Sequence, residues 1–284
     1  MDLEETTTLR RTLTIIGAGK VGQTLGRLWT SHQVFDIQDV LNRSLESAQR
    51  AVTFIGGGIA IGAYGDLRPA DIYLIAVSDD QIAACCDQLA RSGNLTSESI
   101  VFHCSGALRS SELQAAAQLG ASVASIHPIR SFAVPEQVAQ EFSGTYCGVE
   151  GDARAVDLLS AAFTAIGARM VPINADAKIL YHAAAVFACN YLTTLLDVAQ
   201  QTYVQAGIPH DVARELMAPL VRETIDNIFR IGPAAALTGP IARGDFAIAE
   251  RQQRAIADWN RDHGALYEQF AKLTADLAAR RNKP

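Results

Sequence analysis

The run Thr14-Ile15-Ile16-Gly17-Ala18-Gly19-Lys20-Val21-Gly22-Gln23-Thr24-Leu25-Gly26 constrains this chain more than any other stretch. Short apolar residues of β character feed a Gly-x-Gly-x-x-Gly pattern, which then opens into helical spacing. Each glycine answers a separate need: Gly17 a tight turn, Gly19 the approach of a pyrophosphate to the backbone, Gly22 close packing of helix on strand. The N–H groups at such a helix start, those of Lys20 and Val21 among them, are unpaired and carry partial positive charge. The pattern predicts a strand, turn and helix that together hold a dinucleotide.

Which dinucleotide depends on the close of the next strand. An acid there holds the ribose 2′-hydroxyl of NAD, whereas a cation accommodates the 2′-phosphate of NADP. The second extended run ends Val40-Leu41-Asn42-Arg43-Ser44. Asn42, Arg43 and Ser44 favour NADP, because Arg43 offers a bidentate charge-assisted contact and Ser44 a hydroxyl or an N–H at a helix start. Asp39 is the rival: a strand that closed at Asp39 would favour NAD.

Beyond this point the chain alternates strands and helices. Gly56-Gly57-Gly58 reads as a helix stop. Asp71 to Val77 is a continuous apolar run suited to a strand buried on both faces, and it delivers Val77 and Ser78 to the cofactor edge. Further strands are expected at Ser99 to Cys104, Ala121 to Ile126, Thr145 to Val149 and Ala168 to Ile173, with helices between them. From Asn174 to Ala206 there is no glycine or proline, and apolar residues recur at helical spacing. One long helix is expected there, then helices from His210 to Ile231, near Phe246 to Ala257 and over Asp262 to Arg280. The expected architecture is a doubly wound parallel-sheet Rossmann domain over residues 1–173 and a smaller all-α domain over residues 174–284.

Composition sets the partners. A formal charge of -6 offers no basic stripe for nucleic acid. The five cysteines lack CxxC spacing, so neither a disulfide framework nor a zinc site is expected, and a reducing cytoplasm fits. No His, Asp, Glu and Cys grouping has metal-ligand spacing. The acidic start Met1-Asp2-Leu3-Glu4-Glu5 lacks an apolar core, so no signal peptide is expected, and the basic end Arg280-Arg281-Asn282-Lys283 reads as a solvated tail. The apolar stretch near Ala183 to Cys189 is too short to span a bilayer, so no membrane partner is expected. The apolar surface of the two long helices predicts a homodimer through the helical domain.

Four stretches carry a resemblance: HCSGAL (His103 to Leu108), SIHPIRSF (Ser125 to Phe132), YHAAAVFACNYL (Tyr181 to Leu192) and ALTGPIARGD (Ala236 to Asp245). They are similar to a bacterial family in which a Rossmann-like domain is joined to a helical domain of unknown function. The arrangement as a whole resembles pyrroline-5-carboxylate reductase, ketopantoate reductase, prephenate dehydrogenase and 6-phosphogluconate dehydrogenase. That resemblance implies an NADP-dependent oxidoreductase in which a lysine on the interdomain helix, Lys178 here, moves the proton. Prephenate dehydrogenases carry a His-Pro pair similar to His127-Pro128.

The residues agree on where chemistry belongs. Ligands of an open parallel sheet bind beyond the carboxyl ends of its strands, which places Ser105, His127 and Arg130 there. Reduction of a carbonyl or imine needs a proton donor beside the hydride. Lys178 is the first candidate, His182, one helical turn on, the second, and Ser105 and His127 are further catalytic candidates. Arg130, Asn190 and Arg243 are candidates for binding a small anionic substrate. The expected function is hydride transfer with NADP; a nucleotide-binding redox sensor or scaffold without turnover is the second reading, and it would not require the polar set Lys178, His182, Ser105 and His127.

Overall fold

The structure is a computed structural model and describes residues 10–281. The readings made at Met1 to Glu5 and at Asn282 and Lys283 lie outside the described residues. Eight strands form one sheet: β1 (Thr12–Ile16), β2 (Asp36–Leu41), β3 (Ile59–Ile61), β4 (Ile72–Ile75), β5 (Ile100–His103), β6 (Ser122–Pro128), β7 (Tyr146–Gly151) and β8 (Arg169–Pro172). Their order across the sheet is β3-β2-β1-β4-β5-β6-β7-β8. The helices that accompany them are α1 (Lys20–Ser31), α2 (Leu45–Ile55), α3 (Ile82–Arg91), α4 (Gln114–Gln118), α5 (Pro135–Gln140), α6 (Ala153–Ala165) and α7 (Lys178–Val186). After α7 come α8 (Leu192–Gln205), α9 (His210–Ile231), α10 (Pro233–Ala236), α11 (Phe246–Trp259) and α12 (Arg261–Arg280).

The central strands are buried from end to end, as their unbroken apolar runs require: Ile72, Leu74, Ile100 and Phe102 are fully enclosed. One face packs Trp29 of α1 edge-on against Phe35, Phe102 and Phe163. The other face gathers Tyr73, Ile75, Val101 and Leu113 with Ile82, Cys86 and Leu89 of α3. This is the expected sandwich of helices on both faces of a sheet.

Two features depart from the sequence reading. The sheet is not parallel throughout: β7 runs antiparallel to β6, and β8 follows β7 in parallel. The chain leaves β6 and enters β7 at the same end of the pair, where the Ile129 N–H donates to the Tyr146 carbonyl at 2.8 Å, so the two strands run in opposite directions. The run expected as one long helix begins with a tight turn at Ala175–Ala177 and is interrupted by a π-helical turn, Phe187–Tyr191, between α7 and α8. The apolar run is also longer than the sequence reading allowed. Ala175–Gln205 is 31 residues long, and its most apolar 18-residue window has a mean hydropathy of 1.4 with no residue of that window buried, so by length and composition alone the run is long and apolar enough to cross a membrane.

The chain divides into two compact units, the first ending at Val186 and the second beginning at Phe187. The expected boundary at 173/174 differs from this one because α7 keeps its inward side chains on the sheet, as the site shows.

Candidate active site

The glycine loop has the local geometry its pattern demands. Gly17 stands at φ 85°, and a Cβ there would fall 2.4 Å from Val77 Cγ1. At Gly22 a Cβ would fall 2.7 Å from the Gly17 carbonyl oxygen, whereas at Gly19 it would meet nothing within 4 Å. Two of the three glycines therefore answer to packing, and the third leaves an open face beside the start of α1, which has no acidic residue in its first turn. The Asn42 side chain shapes this loop by accepting the Ala18 N–H at 2.6 Å. Lys20 lies exposed and donates to the Ala133 carbonyl at 2.8 Å, and Val21 follows it on α1.

The close of β2 settles the local geometry at the cofactor-type position. The strand pairs with β1 as far as Leu41 opposite Ile16. Asp39 is fully buried, and its carboxylate takes the Arg68 Nε–H at 2.9 Å, an Nη2–H at 2.6 Å and the Arg68 backbone N–H at 2.9 Å. It is spent inside the fold. Arg43 lies exposed just past the strand end, and Ser44 caps α2 by accepting the Ser47 N–H at 3.2 Å.

A second polar group forms where α7 crosses β6 and β7. In the antiparallel register Ser125 faces Glu150 and His127 faces Gly148, so these four residues share one face of the sheet. Three α7 side chains descend on that face. Lys178 is fully buried; its ammonium donates to Ser125 Oγ and sits 3.4 Å from Glu150 Oε1. Glu150 also accepts the Ser110 N–H and hydroxyl, each at 2.7 Å. Burial lowers the Lys178 pKa below the usual lysine range, with Glu150 pulling the other way.

Tyr181, one turn on, places its hydroxyl 3.0 Å from His127 Nδ1. Gly148 makes that possible, since a Cβ there would come within 2.5 Å of the Tyr181 hydroxyl. His182 stacks edge-on to His127 with ring centroids 5.6 Å apart, and its Nδ1 is buried without a hydrogen-bond partner. Gly106 provides the space: a Cβ there would lie 2.3 Å from His182 Nδ1 and 2.9 Å from His127 Nε2. Burial, with His182 and Lys178 nearby, pushes the His127 pKa down to about 4, and burial raises that of Tyr181 to about 12. Both groups are neutral at physiological pH. A single hydrogen bond joins them, its donor set by the imidazole tautomer.

His103 completes the floor. Its Nδ1 accepts the Ser105 N–H at 3.1 Å and its Nε2 donates to the Arg109 carbonyl at 2.9 Å, and burial pushes its pKa down to about 4. Ser105 Oγ accepts the N–H groups of Ala107 and Leu108 at 3.2 and 2.9 Å, which fixes the turn that carries Gly106. Burial raises the thiol pKa of Cys104, as a core cysteine should behave.

Of the residues singled out from the sequence, the structure thus brings together His127, His182 and Lys178, with Ser105 in the adjoining turn. Val77 lies against Gly17, and Ser78 follows it at the carboxyl end of β4. Arg130 is committed elsewhere, to Glu141 Oε2 at 3.0 Å and to the Glu141 carbonyl. Asn190 lies exposed in the π-helical turn and Arg243 exposed at the end of the turn Ile241–Arg243, both in the second unit. The reading did not single out Tyr181, Ser125, Glu150, His103 or Gly148. The alternations Ser125-x-His127 and Gly148-x-Glu150 were the available signal.

Comparison with known proteins divides the chain in two. Residues 3–128 match the Rossmann-like domain, and residues 145–274 match a domain of unknown function, DUF2520. The polar group draws on both: His103, Ser105, Gly106, Ser125 and His127 from the first match, Gly148, Glu150, Lys178, Tyr181 and His182 from the second. No curated protein matches the sequence. Among solved structures, a Thermotoga maritima protein is similar at 25% identity over 95% of this chain and 100% of its own, with a TM-score of 0.72. A Bacteroides fragilis protein provisionally named an NADP oxidoreductase is similar at 21% identity over 94% of this chain and 98% of its own, TM-score 0.78. An imine reductase from Myxococcus stipitatus, solved with NADP+, is similar at 16% identity over 95% of this chain and 94% of its own, TM-score 0.67. The chain is thus similar to a Rossmann-like domain over residues 3–128 and to DUF2520 over residues 145–274.

Proposed function

We propose that the protein is an NADP-dependent oxidoreductase that moves a hydride between the nicotinamide and the carbonyl or imine carbon of a small metabolite. The observation that carries this reading is the neutral His127, oriented by Tyr181 at the end of β6 where ligands of such a sheet bind. Relatives in structure that are named for NADP-linked reduction, the imine reductase with NADP+ and a reductive aminase from Aspergillus terreus with NADPH, lend support.

The residues fit the cofactor. Gly17, Gly19 and Gly22 with the N–H groups of Lys20 and Val21 would hold the pyrophosphate, Asn42 keeps that loop in shape, and Arg43 with Ser44 would take the 2′-phosphate. Val77 and Ser78 border the same edge. When bound, the cofactor supplies or accepts the hydride. The chain's own part is the proton. Tyr181 orients the ring of His127, whose Nε2 lies beside Gly106 and the half-buried ring of His182 and would be the atom that exchanges the proton. Lys178 takes a different part from the one the resemblance implies, because its ammonium is enclosed by Ser125 and Glu150 and reaches no cleft. The proposal includes no carboxylate clamp in the first unit, since Arg130 is paired with Glu141 and Arg109 with Asp176.

Calorimetric titration with NADPH and NADH tests the cofactor half: NADPH binds more tightly, and Arg43→Ala removes about ten- to a hundredfold of preference. Equal affinities in the unaltered protein would overturn it. NADPH oxidation against a panel of carbonyls and imines tests the other half. Tyr181→Phe lowers kcat on the order of a hundredfold or more while NADPH affinity holds; unaltered turnover removes Tyr181 and His127 from the chemistry.

A further inference from the structure

The charges around the polar group of the first unit do not cancel. Lys178 is paired with Glu150, Arg109 with Asp176 and Arg130 with Glu141. Asp79 has no such partner. It opens the turn Asp79–Gln81 after β4, whose neighbours in the sheet are β1, which feeds the glycine loop, and β5, which feeds the turn of Ser105 and Gly106. Asp79 therefore stands at the carboxyl ends of the strands, where ligands of such a sheet bind. It is exposed, no side chain caps its turn or α3, and among the described residues it pairs with no cation and accepts no hydrogen bond. Its neighbour Asp80, by contrast, accepts the Gln81 side-chain N–H at 2.9 Å.

Among the formal charges that act on His103, His127 and Lys178, those of Lys178 and Glu150 offset one another and that of Asp79 remains. A lone anion beside a binding site draws cations in and turns carboxylates away. The uncharged groups agree. His127 is neutral at physiological pH, so one of its nitrogens keeps a lone pair, and His182 Nδ1 is buried with no partner. A ketone gains negative charge on oxygen as hydride arrives, and it calls for fixed positive donors. A protonated imine does the reverse. Its carbon takes the hydride, the C=N π pair moves onto nitrogen, and the cation becomes a neutral amine. No further proton enters that step, which leaves His127 Nε2 to exchange one with the amine afterwards.

We propose, resting on the hydride-transfer reading above, that Asp79 is the counter-ion of the substrate and that the substrates are protonated imines, in preference to ketones or keto acids. The probes are methylpyrroline, a cyclic imine largely protonated at neutral pH, with cyclopentanone and pyruvate as the carbonyls. With NADPH the imine is turned over with the highest kcat/KM of the three. Asp79→Asn raises its KM about ten- to a hundredfold, and Asp79→Glu recovers most of the loss. NADPH affinity, by calorimetry, is the same in all three proteins. Calorimetry also gives a readout without turnover: the product cation methylpyrrolidinium binds the protein loaded with NADP+, and Asp79→Asn weakens it about ten- to a hundredfold. Should none of the probes be turned over, this binding decides alone. Either carbonyl reduced as well as the imine, an imine KM or a methylpyrrolidinium affinity that ignores Asp79→Asn, or NADPH affinity lost in that variant would each overturn the proposal and leave hydride transfer standing. Refusal of NADPH by the unaltered protein overturns both.

Discussion

The two units of this chain are built on opposite terms. Among the described residues the first holds 41 of the 44 buried apolar ones and every buried polar one, while the second, about half as long, holds the remaining three, Ala213, Met217 and Ala249. Sequence composition does not distinguish them this sharply, since both are rich in apolar residues. What differs is where those residues go: in the first unit onto a sheet covered on both sides, in the second onto helix faces turned outward. The first unit is able to afford a buried ion pair and three close histidine and tyrosine contacts because its surroundings are already packed.

That contrast is open to measurement. The largest effect is expected at Lys178: Lys178→Met strands the Glu150 carboxylate and destabilises by about 3–5 kcal/mol, and adding Glu150→Gln restores most of it, as read from urea unfolding. Trp29→Ala, at a fully buried aromatic, costs about 3–5 kcal/mol in the same assay. Acid comes next. His103 is held neutral in the fold with a pKa of about 4, whereas an unfolded histidine titrates near 6.5. The unfolded state binds the proton first, so stability is full above about pH 6.5 and declines by roughly 3 kcal/mol as the pH falls toward 4, with His127 adding in the same direction. A flat unfolding profile over that window would show that neither ring is held neutral. Gly106→Ala crowds the His182 ring and costs about 1–3 kcal/mol, with displaced histidine ring resonances in NMR spectra. The smallest effect belongs to Phe229→Ala, within about 0.5 kcal/mol at a dilution where chains are single. A cost there as large as at Trp29 would erase the distinction between the units.

How much of this was legible in the sequence follows from what each signal encodes. Gly17, Gly19 and Gly22 state a backbone requirement directly, and the alternation of strand and helix follows from residue periodicity. Strand direction does not: Thr145 to Val149 reads the same forwards or reversed, so the antiparallel β6 and β7 pairing was invisible. The partners it creates were invisible with it, since Glu150 and Gly148 acquire meaning only opposite Ser125 and His127. Lys178 was noticed and its surroundings were not, because a lysine in a first helical turn looks alike whether water or a carboxylate waits for it. Asp39 illustrates the converse: two plausible strand ends were distinguishable only once the register carried β2 past it to Leu41.

The pairing of β6 with β7 acts as a reading frame. Side chains two apart on one strand meet side chains two apart on the other, so inserting a single residue inside β7 would send Gly148 or Glu150 to the opposite side and leave either the phenol or the ammonium facing the wrong neighbour. The segment between the strands is tied down by other means: it sends Val138 and Phe142 into the core and offers the Ala133 carbonyl to Lys20. The three residues from Gly148 to Glu150 tolerate neither gain nor loss, because their partners lie across the ladder.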